Sequence, residues 1–368
     1  MKPIWKPRRA DLRAPRRSSN AAAAACRSPE SISRFPSNRE HRKRFPVAAP
    51  PLQPALWATV LAGGDGTRLR SLVERIHSDG RPKQFAAVLG TRTLLRETLD
   101  RIGILIPPER TVVVGRRVHA HYLDEELAEF RKATVLLQPD NRGTAVGILL
   151  PVHWIARIDP HAVVAIFPSD HFILGSNAFM AHVSQTVAFV NTHPDLFLLV
   201  GAPPARPEPD LGWVEPGMAV GATASGPICR VARFREKPAP DEARGYFEKG
   251  FLWNTFVMVG RASAIAAAGR DFAPDVSAGI ENVVRAAIGG PEAFDRAFTS
   301  LPEADFSRTI LERCASRLVI SRLPDRIWND WGTPERVFDS LTEARMPVPA
   351  RLFGLDSAVS PSPAPMVS

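Results

Sequence analysis

The first apolar run of the chain, Leu56 to Leu61, ends in Ala62-Gly63-Gly64-Asp65-Gly66-Thr67-Arg68-Leu69. Glycines lack the Cβ that would keep an oxyanion away from backbone N–H groups, a following helix N-terminus adds positive potential, and an arginine forks onto phosphate oxygens. The chemistry on offer is a phosphate cradle, with Ala62, Gly63, Gly64, Gly66 and Thr67 supplying backbone and Arg68 supplying charge. Two commoner cradles are excluded. A dinucleotide fingerprint counted from Gly64 needs glycine where Leu69 stands, and no Gly-Lys-Ser/Thr closes a P-loop. Further on, in Arg81-Pro82-Lys83-Gln84-Phe85, proline stiffens the backbone and Lys83 offers a point charge toward the same strand edge.

The elements that must position these groups follow from apolar patterning. Short β-rich runs alternate with longer helical stretches: Leu56 to Leu61, Thr111 to Val114, Val163 to Phe167, Leu196 to Val200, Ile228 to Phe234, Phe256 to Val259 and Leu318 to Ile320. A continuous run such as Val163-Val164-Ala165-Ile166-Phe167 suits a strand covered on both faces, which predicts α/β layers around a mostly parallel sheet. In such sheets ligands bind beyond the carboxyl ends of the strands. The residues just after each run are therefore the ones that matter.

Taken together, Gly-Gly-Asp-Gly-Thr-Arg-Leu and Pro-Lys-Gln-Phe resemble the signature of sugar-1-phosphate nucleotidyltransferases, and the Gln-Phe ending is similar to the mannose-1-phosphate guanylyltransferase branch. The resemblance continues in order over most of the core. Gln138-Pro139-Asp140-Asn141-Arg142-Gly143-Thr144-Ala145 resembles the family's base-recognition segment, which implies nucleotide contacts from Asn141, Gly143 and Thr144. An N-capped helix start, with Asn141 or Thr144 satisfying end amides, fits the same residues, and both readings hold together. Phe167-Pro168-Ser169-Asp170-His171 resembles the Pro-Ser-Asp-His element, and Trp328-Asn329-Asp330-Trp331-Gly332-Thr333 resembles Trp-Ser-Asp-Val-Gly. The resemblance implies that Asp170 and Asp330 hold Mg²⁺, a hard cation that prefers oxygen ligands. Alone, each aspartate suits a turn or a cap.

Three further elements resemble the family's sugar-phosphate side. Leu211-Gly212-Trp213-Val214-Glu215-Pro216-Gly217 makes Gly212 the source of space and Glu215 a reader of sugar hydroxyls; Phe234-Arg235-Glu236-Lys237-Pro238 places Glu236 and Lys237 beside the sugar phosphate; Leu252-Trp253-Asn254-Thr255-Phe256 adds Asn254. Two positions depart from the family pattern. Phe256 stands where glycine is common, and Ser71, where proline is common, is followed by a lengthened charged stretch from Val73 to Asp79 that is expected to close differently over the triphosphate. His77, His171, Trp213, Trp253 and Trp331 are read as turn or packing residues, Cys229 and Cys314 as small core residues.

The resemblance implies a Rossmann-like three-layer α/β nucleotidyltransferase fold, with a mostly parallel mixed sheet and a small C-terminal subregion. It also implies transfer of a guanylyl group from GTP to mannose 1-phosphate, with Arg68, Lys83 and Lys237 neutralising phosphates. Another sugar 1-phosphate or nucleotide, or a silent regulatory homologue, are the alternatives; five intact charged groups argue against the last.

The chain has 368 residues and a net charge of +9, but residues 1 to 50 carry 13 Lys/Arg against 3 Asp/Glu, and removing that surplus of ten leaves the rest at −1. A near-neutral core gives no footprint for nucleic acid. Residues 1–54, rich in Arg, Pro, Ala and Ser, are expected to be disordered, as a transit-like segment or the product of a misassigned start; residues 346–368 are expected to form a disordered Pro-rich tail. The catalytic domain then spans 55–345. Nothing after Arg345 suggests a second catalytic domain, so a single activity is expected. Three scattered cysteines suit a reducing cytoplasm, and runs such as Thr144 to Ala156, broken by Pro151 and His153, are too short for a bilayer. The expected partners are the two small-molecule substrates. A homo-oligomer is compatible with these residues, which do not fix the number of copies.

Overall fold

A computed structural model of the protein describes residues 54–324 and 328–353. The expectations for residues 1–53 and 354–368 therefore lie outside the described residues. Among the described residues, eleven strands alternate with ten helices. The strands are β1 (Leu56–Ala62), β2 (Thr111–Arg116), β3 (Thr134–Gln138), β4 (Val163–Pro168), β5 (Phe172–Ile173), β6 (Phe197–Ala202), β7 (Gly212–Thr223), β8 (Gly226–Glu236), β9 (Leu252–Arg261), β10 (Leu318–Arg322) and β11 (Trp328–Asn329). The helices are α1 (Arg70–Ile76), α2 (Leu94–Gly103), α3 (Ala120–Glu126), α4 (Gly143–Ile158), α5 (Ser176–Thr192), α6 (Pro240–Glu248), α7 (Ala262–Phe272), α8 (Pro274–Ala286), α9 (Pro291–Thr299) and α10 (Pro334–Glu343).

Nine strands form one sheet in the order β3-β2-β1-β4-β9-β6-β10-β8-β7. The pairing directions make it mostly parallel: only β9 and β8 run against the rest. Each central strand is apolar throughout because both faces are covered, and all six residues of β4 are buried. One face packs under α4, α7, α8 and α9. The other packs under α2, α3, α5 and α6. This is the three-layer arrangement expected.

A third, smaller core forms the C-terminal subregion, where Leu72 and Val73 of α1 meet Val337 and Leu341 of α10, with Phe172, Trp331 and Leu352 between them. Phe172 and Trp331 stack at 4.8 Å with rings only 11° from parallel. Two expectations change here. The charged stretch is not all loop: residues 70–76 form α1, whose adjacent Leu72 and Val73 are both buried. The tail is also ordered further than its prolines suggest. Leu352 is fully buried, Arg351 donates to the Gly90 carbonyl at 2.7 Å, and a short 3-10 turn closes at Phe353.

Replacing Leu352 by Ala should cost about 2–5 kcal/mol of stability, the range for a fully buried leucine. Urea unfolding measures it. A loss within about 0.5 kcal/mol, as for a surface change, would show that this segment does not dock on α1 and α10.

Candidate functional site

The glycine turn leaves β1 at Ala62 and enters a 3-10 turn at Thr67–Leu69 that leads into α1. Gly66 is left-handed, at φ 60°, and a Cβ there would lie 2.7 Å from Lys83 Cβ and 2.8 Å from Lys83 N. Glycine is therefore obligatory at 66, because the lysine backbone lies against it. Nothing approaches within 4 Å of a Cβ built on Gly64, so backbone there is open to a ligand. Gln84 fixes the turn from below, donating from Nε2 to the carbonyls of Ala62 at 3.1 Å and Gly64 at 2.8 Å.

Lys83 is only 4% exposed. Its ammonium lies 3.0 Å from Asp170 Oδ2 and donates to the Asp330 carbonyl at 2.5 Å. The strand ends explain how the two acids meet. Asp170 follows β4 and Asp330 follows β11, and β5 pairs with β11 in antiparallel register, Phe172 opposite Asn329. Asp330 Oδ1 accepts from Arg336 at 2.6 Å and from Gly332 N at 3.2 Å. Arg68, half exposed, reaches Asp210 at 3.3 Å and Asp330 Oδ2 at 3.7 Å.

Burial opposes ionisation of Asp170 most strongly, but the Lys83 ammonium and His171 together hold the carboxyl below its usual range. Burial likewise opposes ionisation of Asp330, and Arg336 followed by Lys83 pulls it down. Burial depresses His171 to about 4 despite the adjacent Asp170. Its Nδ1 accepts from Trp328 Nε1 at 3.1 Å, which leaves Nε2 to face Asp170.

The oxygens left over suit a hard cation. Lys83 takes Asp170 Oδ2 and Arg336 takes Asp330 Oδ1, so Oδ1 of the first and Oδ2 of the second have no hydrogen-bond donor among the described residues. No cluster of three or more acidic, His or Cys side chains forms a complete metal cage among the described residues. Two carboxylates without a cage fit Mg²⁺, which keeps waters and substrate phosphates as its remaining ligands.

The sugar-phosphate residues gather at the neighbouring strand ends. A Cβ on Gly212 would meet Glu236 Oε2 at 2.7 Å and Asn254 Cβ at 3.2 Å, so glycine lets those two side chains close together. Burial, then the charge of Asp305, raises the Glu236 carboxyl. Lys237 is left-handed at φ 47°, its N–H donating to the Leu211 carbonyl at 3.2 Å. Leu211 follows Asp210, the partner of Arg68, which connects this cluster to the glycine turn. Glu215 lies further along β7, partly exposed and 3.5 Å from Arg233, rather than in the Gly212–Glu236–Asn254 cluster. Phe256 is left-handed, at φ 60°, a conformation glycine adopts without steric cost, which fits the glycine that the resemblance leads one to expect there.

The helix-cap expectation for Asn141 and Thr144 changes: α4 starts from Arg142 without a side-chain cap bond, and the two side chains bind other amides. Asn141 Oδ1 accepts from Gly143 N at 3.0 Å, and Thr144 Oγ1 accepts from Phe306 N at 2.8 Å. Gly143 is left-handed at φ 81° and packs against the Ala304 backbone, where a Cβ would clash. Sequence reasoning passed over Gln84, Gln138, Glu208, Arg336 and Glu312. Gln138 is buried between Gly63 and Gly147, and its Nε2 has no partner among the described residues. Arg336, 3% exposed, also pairs with Glu208 at 2.5 Å. A charged residue on the apolar face of a C-terminal helix was the available signal.

The family model described as nucleotidyl transferase matches residues 57–346. Xanthan biosynthesis protein XanB of Xanthomonas campestris pv. campestris is 30% identical over 289 residues, covering 76% of this chain and 58% of its own. Mannose-1-phosphate guanylyltransferase of Escherichia coli is 28% identical over 284 residues, with the same two shares. The chain thus spans somewhat over half the length of these curated relatives. The crystal structure of mannose-1-phosphate geranyltransferase from Thermus thermophilus matches with TM-score 0.62 at 26% identity, over 75% of this chain and 76% of that one. That of mannose-6-phosphate isomerase from Helicobacter pylori, at TM-score 0.60 and 19% identity over 75% and 100%, shows the fold alone.

Two measurements check the geometry. Gly66→Ala should cost at least about 1–2 kcal/mol from the left-handed backbone alone, whereas Gly64→Ala, with open space above it, should stay within about 0.5 kcal/mol; equal losses would contradict the packing of Lys83 against the turn. An unfolded histidine binds its proton near 6.5 and folded His171 only near 4, so the unfolded state holds more protons in that window. Stability from His171 is therefore complete above pH 6.5 and lost as pH falls toward 4. His171→Asn keeps an acceptor for Trp328 without titrating. Its melting temperature should rise relative to the wild type as pH drops from 6.5 to 4, and a constant difference would contradict burial of the neutral ring.

Proposed function

The chain belongs to the nucleotidyl transferase family, and from that premise we propose that it transfers a guanylyl group from GTP to mannose 1-phosphate, releasing pyrophosphate and forming GDP-mannose. The observation that carries the reading is the buried Lys83 ammonium, which joins the Asp170 side chain to the Asp330 segment directly beneath the glycine turn. The relatives named mannose-1-phosphate guanylyltransferase support the choice of sugar and base.

In this reaction an oxygen of the sugar phosphate attacks the α-phosphorus of the nucleotide in line, and the bond to the pyrophosphate oxygen breaks. No side-chain nucleophile is required, so catalysis is alignment and neutralisation of charge. The backbone of Gly63, Gly64 and Gly66 and the guanidinium of Arg68 receive the departing pyrophosphate. Lys83 faces the reacting phosphoryl group. Lys237, half exposed, receives the sugar phosphate, while Glu236 and Asn254 hold hydroxyls of the ring. Asp170 and Asp330 would hold Mg²⁺, which when bound supplies positive charge to the phosphate oxygens. Gln138, with its unpartnered amide, and the Asn141–Thr144 loop face the base. The two described cysteines, Cys229 and Cys314, are free thiols, in keeping with a reducing cytoplasm. Among the described residues no helix is long and apolar enough to cross a membrane.

Pyrophosphate release across GTP, ATP, UTP and dTTP, each paired with several sugar 1-phosphates, tests the proposal. GTP with mannose 1-phosphate should be fastest, and a clear preference for another pair would replace the substrate assignment. In the preferred pair, Asp330→Ala and Lys83→Met should each lower turnover about 10²-fold or more, the scale for losing one preorganised charge. Near-normal turnover of Asp330→Ala with Mg²⁺ would remove that residue from the site.

A further inference from the structure

Residues 304 to 312 touch both halves of the site. At the nucleotide end, Ala145 N donates to the Ala304 carbonyl at 3.0 Å, Ala304 N donates to the Arg142 carbonyl at 3.2 Å, and Phe306 N donates to Thr144 Oγ1 at 2.8 Å. Ser307–Leu311 then winds as a single π-helical turn, a local widening that is frequent at functional sites. At the sugar-phosphate end, Glu312 Oε1 accepts from Glu236 N at 2.8 Å, and the buried Ser307 lies close enough to the Glu236 carboxyl to favour its ionised form. The Glu312 carboxylate also lies 4.0 Å from the Arg235 guanidinium.

The grip falls where the backbone needs it. Lys237, the next residue, is left-handed at φ 47°, a conformation a non-glycine residue keeps only when its surroundings impose it. Its own N–H is held by the Leu211 carbonyl, so bonds to successive amides fix Glu236 and Lys237 from opposite sides. A backbone N–H bonded to an ionised carboxylate is stronger than a neutral pair.

We propose that the Ala304–Glu312 segment is a strap that fixes the sugar-phosphate end of the site against the nucleotide loop, with Glu312 as the positioning residue for Glu236 and Lys237. The inference rests on the nucleotidyltransferase reading but not on the identity of the sugar. Glu312 acts through Glu236, and the nucleotide end of the strap is anchored by backbone atoms that a change at 312 leaves in place.

The test is steady-state kinetics with GTP and whichever sugar 1-phosphate the wild type converts fastest, so a wrong sugar assignment leaves it intact. Glu312→Ala should raise KM for the sugar 1-phosphate about tenfold, the effect of one lost hydrogen bond to a charged group, while KM for GTP stays within about twofold. Glu312→Gln keeps an oxygen acceptor and should restore KM to within about threefold of the wild type. A parallel rise in both KM values, or a Gln variant as impaired as Ala, would overturn the proposal. Melting temperatures show whether Glu312→Ala folds. If it does not, Ser307→Ala reads the same end of the strap, and an unchanged sugar-phosphate KM there would also overturn it. Should the wild type release no pyrophosphate with any pair, the enzymatic reading fails by itself. The strap is then read by calorimetric Kd for GTP and mannose 1-phosphate, with the same selective loss expected and a parallel or absent loss overturning it.

Discussion

A buried ammonium that must be neutralised organises this molecule. Lys83 is almost fully removed from water, and a lone charge there would be costly enough that acceptors have to be brought to it. They come from a strand end 87 positions later by sequence number, at Asp170, and from the Asp330 carbonyl, 247 positions along the chain. The β5–β11 pairing and the Phe172–Trp331 stack close the C-terminal subregion onto the strand that carries Asp170. Removing the lysine would withdraw a charge that favours ionisation of both Asp170 and Asp330, leaving burial and, at Asp170, the charge of Asp330 to oppose it. The C-terminal subregion is thus part of the site.

Around this centre the backbone is unusually constrained. Of four left-handed non-glycine residues among those described, three stand in the site motifs: Lys237 after Glu236, Phe256 after the Asn254 element, and Trp331 after Asp330. Such conformations persist where the surrounding structure over-determines them, and they cluster where side chains must be aimed. Each is held by something specific. Asn254 Oδ1 accepts from Phe256 N, Asn329 Oδ1 accepts from Trp331 N, and the Leu211 carbonyl receives Lys237 N.

Much of this is legible in the chain itself, because strand-end motifs announce themselves. A continuous apolar run such as 163–167 has few uses besides a doubly covered strand, and a glycine turn following one has few uses besides a close approach. What patterning could not reveal was direction and partnership. β9 reads like its parallel neighbours but enters the sheet between β4 and β6 in the opposite sense, which only the tertiary pairing decides. β7 carries Gly212, Pro216 and Gly217 and exposes its outer half, so it has no apolar run to detect, yet it forms twelve residues of edge strand with repeated register shifts. α1 and the segment to Phe353 were hidden for a related reason: their few apolar side chains have a place to go only once α10 is present. Arg336 and Glu312 lie outside the motifs and matter through the groups they hold, a relation that appears only in three dimensions.

The central claim is that Asp170 and Asp330 act on one divalent ion together with the nucleotide. Water proton relaxation with Mn²⁺ as a substitute for Mg²⁺ measures this directly. In the wild type, adding GTP should produce a ternary Mn²⁺–nucleotide–protein complex with enhanced relaxation. Both Asp170→Asn and Asp330→Asn, with their folds verified by melting temperature, should lose most of that enhancement. Enhancement preserved in either folded variant would contradict the account.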